Sequence, residues 1–287
     1  MGFETLKYEV AGNIAIVTLF RPQKLNAFTL EMGREIVRAL DTAEDDDGVR
    51  AVIVTGDGPA FCAGMDLSVE GNVFGLDEAV DPLGPNAADI RDSGGLVTLR
   101  IFRMTKPVIG ALNGVAVGIG ATMTLPMDAR IVSSNARVGF VFSRLGICTE
   151  ACSSWFLPRL VGMSRALDWV LSGDILSSEE LLDAGFAQKV TAPEDLLTEA
   201  MATARRFTSD TSPLSIAANR QLLWQASGAS HPMEAHQLDS RLMLELSLSD
   251  GKEGVAAFQE KRKPKFPQPI NGRLPRSLGR LKEPAFR

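Results

Sequence analysis

Histidine is scarce: the 287-residue sequence holds only His231 and His236, five positions apart. HExxH zinc chemistry needs two histidines one helical turn apart, and a hydrolytic triad needs one beside a nucleophile, so neither has support. No Gly-x-Ser-x-Gly nucleophile elbow occurs. Cysteine is nearly as rare, and Cys62, Cys148 and Cys152 are too few for a disulfide framework and lack a zinc-like spacing. The thiols are expected to be reduced. No basic-then-apolar leader is readable at Met1 and no targeting tail closes the sequence, so the cytoplasm is the expected location. Acid–base work, if there is any, falls to carboxylates or to the backbone.

What is present is ordinary in bulk, 45% hydrophobic and 23% charged, which suits a soluble globular protein able to bury a large core. The charge is uneven. Residues 262–287 carry eight Lys/Arg against one Glu, with five prolines. Such a tail is a solvated arm, a strap over a neighbouring subunit, or a help in holding a polyanionic ligand. Nucleic acid is not an expected partner, because the remainder is acidic and the tail has few aromatics to stack bases.

The chain is organised around Lys106–Asp128, within which 21 consecutive residues carry no charge. Pro107 to Leu112 reads as a buried strand and Asn113-Gly114 as a turn. After a second short run, Gly118, Gly120 and Ala121 leave the backbone bare where a helix would start. Free N–H groups there suit an anion or a developing oxyanion; a tightly packed core turn explains the same residues equally well. The run is a poor membrane span, with Asn113, four glycines and flanking prolines, and no membrane partner is expected. Gly118-x-Gly120 lacks the third glycine of a dinucleotide fingerprint, Met123 standing there.

In order, the sequence predicts a hairpin over 5–20, a helix capped by Thr29 and a strand at 51–55. Phe61-Cys62-Ala63-Gly64-Met65-Asp66-Leu67 then exposes backbone at the end of a strand. A long loop covers 69–95, a helix 96–104, and strands 129–133 and 137–142. Helices open near Ser153, Ser164 and Ser177, and a strand lies at 188–190. Everything after Pro193 reads as helix: 194–207, 213–226, 233–248 and 250–262. Leu238, Leu242, Met243 and Leu246 form an apolar stripe, expected to pack. The expected class is α/β, with a core over 1–205 and a helical C-terminal region with the basic tail over 206–287.

RPQKLNAF (21–28), VIVTGDGPAFCAGMDL (52–67), KPVIGALNGVAVGIGATM (106–123), DARIVSS (128–134), SSWFLPRLVG (153–162), SSEELLDAGFAQKV (177–190) and KEGVAAFQEKRKPKF (252–266) together resemble the crotonase, or enoyl-CoA hydratase/isomerase, superfamily. The resemblance implies a ββα spiral with a helical part that builds homotrimers, often paired into hexamers. It implies acyl-CoA chemistry through a thioester enolate, with no bound cofactor because the substrate carries coenzyme A. The thioester oxygen would sit between the backbone N–H groups of Met65 and Ile119. Coenzyme A would lie along 62–68, which includes Ala63, Asp66 and Leu67, and near Lys24 and Ala27, with Gly118 beside the oxyanion.

Hydratases of the family carry two glutamates that activate water; the matching positions here are Thr122 and Phe142. Glu150, in GICTEACSSW, stands instead where related isomerases carry a single catalytic glutamate. Lying before a helix start, it also reads as a carboxylate favoured by the helix dipole. The expectation is Δ3-to-Δ2 isomerisation of an enoyl-CoA by Glu150, with Phe142 and Trp155 walling the acyl pocket and Thr122 orienting water or packing. A hydratase, using Glu150 alone or with Asp89 or Asp92, comes second, and a non-catalytic acyl-CoA binder third.

Overall fold

The computed structural model describes residues 2–68, 70–74, 76, 90–266, 270, 273–278, 284 and 286. Asp89, much of the expected 69–95 loop and parts of the basic tail lie outside them.

Apolar alternation gives an opening hairpin, β1 (Leu6–Ala11) and β2 (Ile14–Leu19), paired antiparallel around Gly12-Asn13. Thr29 accepts the Met32 N–H at 3.1 Å and so starts α1 (Leu30–Asp45), whose Met32, Ile36, Ala39 and Leu40 are buried. Three strand–strand–helix units follow. They are β3 (Ala51–Gly56), β4 (Ala60–Cys62) and α2 (Ser93–Arg103); then β5 (Val108–Leu112), β6 (Val115–Val117) and α3 (Ile119–Thr122); then β7 (Ala129–Ser133), β8 (Arg137–Gly139) and α4 (Ser153–Val161). Next come α5 (Met163–Ser172), β9 (Ile175–Ser177), α6 (Ser178–Asp183) and β10 (Lys189–Thr191). Four helices finish the chain: α7 (Leu196–Thr208), α8 (Pro213–Ala226), α9 (Pro232–Ser247) and α10 (Asp250–Gln259).

The first strand of each unit joins a six-stranded sheet of order β1-β2-β3-β5-β7-β10, parallel from β2 onward. The second strands form a smaller sheet, β4-β6-β8-β9. Because the middle of the large sheet is covered on both faces, its inner strands β3 and β5 read as near-continuous apolar runs, whereas β1 and β10 at the edges carry exposed polar residues. Ala51 and Ile53 of β3 pack with Leu196, Ala200 and Ala204 of α7. Val52 and Val54, on the opposite face, join the larger core between the sheets. The mixed α/β class with a parallel core is as expected; the division expected near residue 205 falls inside α7.

The long uncharged run is thus cut into two strands and a short helix. Asn113 makes the first corner: its Nδ2 donates to the Gly58 and Ala60 carbonyls while its Oδ1 accepts the Gly56 N–H. No helix among the described residues is long and apolar enough to cross a membrane. The strand expected over 137–142 stops at Gly139, because Val141–Leu145 coils into a 3₁₀ turn that the Ile147 N–H closes onto the Phe142 carbonyl. β9, which was not foreseen, pairs antiparallel with β8 along only three residues.

Candidate active site

A cavity of about 560 Å³ opens where β4, β6 and the starts of α2 and α3 converge. Met65, Leu67, Phe28 and Ala63 wall one side, Gly118 and Ile119 the floor, and Phe142, Leu145 and Ile147 another side. Phe74, Leu76 and Ile90 complete an apolar lining into which Glu150 and Asp92 bring carboxylates.

Two backbone donors are left over at its floor. The 28 and 65 backbones form a parallel bridge in which the Phe28 N–H donates to the Gly64 carbonyl and the Asp66 N–H to the Phe28 carbonyl. That pattern turns the intervening Met65 N–H the other way. Ile119 is the first residue of α3, where no carbonyl one turn earlier can accept its N–H. Among the described residues neither N–H has a protein acceptor. Gly120 brings the two segments together: a Cβ there would stand 2.1 Å from the Cys62 carbonyl oxygen, so α3 rests directly on the end of β4.

Glu150 sits opposite. Ala151 and Cys152 take the left-handed conformation, with φ of 53° and 57°, before α4 begins. Two such non-glycine residues in a row cost about 1–3 kcal/mol each. The turn throws the Glu150 side chain away from α4 and into the cavity. Its Oε1 accepts the Thr122 hydroxyl at 2.6 Å, while only its main-chain carbonyl is used by the helix, accepting from Ser153. The side chain therefore caps nothing. Burial pushes the carboxyl up to about 7 and the Asp92 charge adds to the rise, while the Thr122 hydrogen bond opposes it. Cys62, beneath α3, is fully buried, and burial pushes its thiol up to about 12, which removes it as a nucleophile near neutral pH.

The other residues singled out by sequence fall in different places. Thr122 lies behind Glu150 as its donor, not on the cavity wall. Trp155, expected to wall the pocket with Phe142, does not reach it. It packs edge-on against Phe156 at 4.8 Å and near Phe102 and Trp224, with Arg159 over its ring at 3.9 Å. Asp66 is buried against Arg21 at 2.8 Å and Ser68, whose hydrogen bonds hold its carboxyl far below the usual range. It ties the 21–28 turn to the 61–68 segment. Lys24 is exposed on a 3₁₀ turn and Ala27 offers its carbonyl to Arg21; both stand outside the cavity lining. Sequence reasoning passed over Gly94, Ile90 and Phe28. Gly94-Gly95 ahead of a helix was the one local signal.

The family model described as enoyl-CoA hydratase/isomerase matches residues 9–269. The chain belongs to this family, the crotonase superfamily, and is an enzyme of it. Crotonase relatives include enoyl-CoA hydratase AFT3-1 of Alternaria alternata, 38% identical across 89% of this chain and 83% of that protein. Another is the 1,2-epoxyphenylacetyl-CoA isomerase of Escherichia coli, 36% identical across 92% of this chain and 98% of that one. Among solved crotonase structures, an enoyl-CoA hydratase subunit from Geobacillus kaustophilus superposes with a TM-score of 0.81 at 32% identity, covering 92% of this chain and 98% of its own. The enoyl-CoA hydratase of Polaromonas sp. JS666 does so with 0.80 at 29%, covering 91% and 99%. The crotonase family acts on acyl-CoA thioesters, and hydratases and isomerases both occur among these relatives.

Proposed function

We propose that the protein moves a double bond from the 3- to the 2-position of an enoyl-CoA, with Glu150 as the proton shuttle. The observation that carries this reading is a carboxylate in an apolar cavity with its pKa raised to about 7, facing two unpaired backbone N–H groups. Ionised Glu150 takes a proton from C2 of the 3-enoyl thioester. The electron pair of the broken C2–H bond forms C1=C2, conjugated with the still intact C3–C4 double bond, and charge collects on the thioester oxygen. The N–H groups of Met65 and Ile119 receive that charge; one such donor lowers a barrier by about 2.7–4 kcal/mol. Glu150 then returns the proton to C4: the C3–C4 pair takes it up, the double bond moves to C2–C3, and the thioester carbonyl re-forms. A base with a pKa near the working pH holds both states in useful proportion. No resident cofactor is needed, since coenzyme A arrives with the substrate. Its acyl part would fill the apolar lining, with Lys24 and Ala27 near the coenzyme A rim.

Hydration of a trans-2-enoyl-CoA is the second reading, favoured by the hydratase names of several relatives. Purified protein given a 3-enoyl-CoA and, separately, a trans-2-enoyl-CoA, with products resolved by mass, separates the two. An isobaric product from the first, lost in Glu150→Gln, supports isomerisation. Addition of one water to the second without isomerisation of the first replaces it. Tight thioester binding with neither product would leave the non-catalytic binder.

The same reading includes self-assembly, as trimer or hexamer, through α8–α10. Its support is a groove lined by Leu222, Met243, Leu246 and Val255, and the solvent exposure of Met243 (69%) and Phe258 (85%).

A further inference from the structure

Asp92 is the second carboxylate of the cavity, and its bonds show what it is free to do. It caps α2: its Oδ1 accepts the Gly95 N–H at 2.5 Å. The same oxygen also accepts the Ala151 N–H at 3.1 Å, across 59 residues of sequence. Ala151 is the residue directly after Glu150 and the first of the two left-handed positions. One oxygen thus fastens the start of α2 to the turn that throws Glu150 into the cavity.

The rest of the fit agrees. Gly94 passes so close to Glu150 that a Cβ would lie 2.3 Å from its Oε2 and 2.5 Å from Ile119 Cδ1. Thr122 holds the other oxygen, Oε1, at 2.6 Å. The Glu150 carboxylate is therefore held between α3 and α2, and its backbone is held by Asp92. We infer that Asp92 is a positioning residue for Glu150, fixing the backbone that carries the proton-shuttling carboxylate while moving no proton itself. This rests on the reading of Glu150 given above and removes Asp92 as a candidate second base.

The groups near Glu150 are Asp92 at the start of α2, Thr122 from α3 and Cys62 from β4, with Cys148 of its own loop also lining the cavity. Lys, Arg and His are absent from the described cavity lining. Of the charged groups, Asp92 alone raises the Glu150 carboxyl alongside burial. Its removal has two separable consequences, a looser turn and a lost like charge. Asp92→Asn keeps an oxygen for the two N–H groups but no charge, whereas Asp92→Ala keeps neither.

The test follows both variants by steady-state kinetics, by pH profile, and by ¹³C titration of the Glu150 carboxyl, assigned with Glu150→Gln. Asp92→Ala is expected to lower kcat by about tenfold to a hundredfold, the usual result of a misplaced reacting group, with KM little changed. Asp92→Asn is expected to retain most of kcat while the acid limb and the Glu150 titration both move to lower pH. Unchanged kcat and titration in Asp92→Ala, with only a lowered Tm, would reduce Asp92 to a helix cap and overturn the inference. An Asp92→Asn protein as inactive as Glu150→Gln would overturn it the other way, making Asp92 a proton carrier. If the wild type turns over neither thioester, the function reading fails, yet the titration still decides whether Asp92 governs Glu150.

Discussion

The spiral core and the last two helices solve the burial problem differently. In β3 and β5 no apolar side chain is more than 1% exposed, because α7 covers one face and the smaller sheet and helices the other. In α9 only Leu242 is buried, while Met233 and Leu244 stand more than half exposed, and α10 turns Phe258 85% to solvent. The stripe expected to pack along α9 is therefore only partly satisfied within one chain. The core encloses its apolar surface around a buried carboxyl; the helical end leaves several large apolar side chains in solvent.

The largest effect lies in the core. Glu150→Gln keeps the shape and the Thr122 contact but removes the base, so turnover of the thioester substrate is expected to fall by about 10²–10⁴-fold. Circular dichroism and oligomeric mass should stay as in the wild type. A retained kcat would assign the proton transfer elsewhere and dissolve the contrast between the two regions.

The same substitution should stabilise the fold, and pH tells why. The Glu150 carboxyl is raised in the folded protein to about 7 from an ordinary 4.5. A raised carboxyl favours the folded state while protonated in both states, and that contribution is lost as pH climbs through the folded value. At pH 4, below both values, the variant and wild type should therefore melt nearly together. By pH 8 Glu150→Gln should be the more stable by up to about 3 kcal/mol, from roughly 2.5 pK units of linkage. Parallel melting curves at pH 4 and pH 8 check it; no gain at pH 8 would mean the carboxylate is solvated after all.

Gly120→Ala tests the contact between α3 and the end of β4. The added methyl would meet the Cys62 carbonyl oxygen at 2.1 Å, and neither backbone can step aside easily. Overpacking of this kind costs about 1–3 kcal/mol. Chemical denaturation should show that loss, together with reduced thioester turnover, as α3 lifts from β4.

How far the sequence already told this depends on how local each feature is. The bare backbone at 61–67 and 113–122 could be read directly, since glycines and an Asn-Gly turn announce themselves where they act. Glu150 could be singled out too, but its two readings could not be separated. What separates them is a hydroxyl 28 residues away and a left-handed turn carried by alanine and cysteine, types that do not advertise it. Asp66 looked like a ligand-side acid until Arg21, 45 residues earlier, was found beside it. Trp155, expected to wall the pocket with Phe142, instead joins the aromatic cluster with Phe102 and Trp224, a packing partnership across more than fifty residues that its own neighbourhood in the sequence does not signal. Asp92 and Gly94 act through contacts across more than fifty residues, which no periodicity encodes.

The smallest effect on the chain itself belongs to the helical end. Phe258 touches little of its own chain, so Phe258→Ser should change the stability of the isolated fold by no more than about 0.5 kcal/mol. If the α8–α10 face is the surface between copies, the consequence appears elsewhere: light scattering should show a smaller assembly, with dissociation at concentrations where the wild type is intact. Survival of turnover per chain in the smaller species would show that one chain completes the cavity by itself. Loss of activity together with assembly would mean that a neighbouring copy completes the site, and the two regions would then be halves of one device. Unchanged mass would return the exposed Phe258 face to solvent and leave association to another surface.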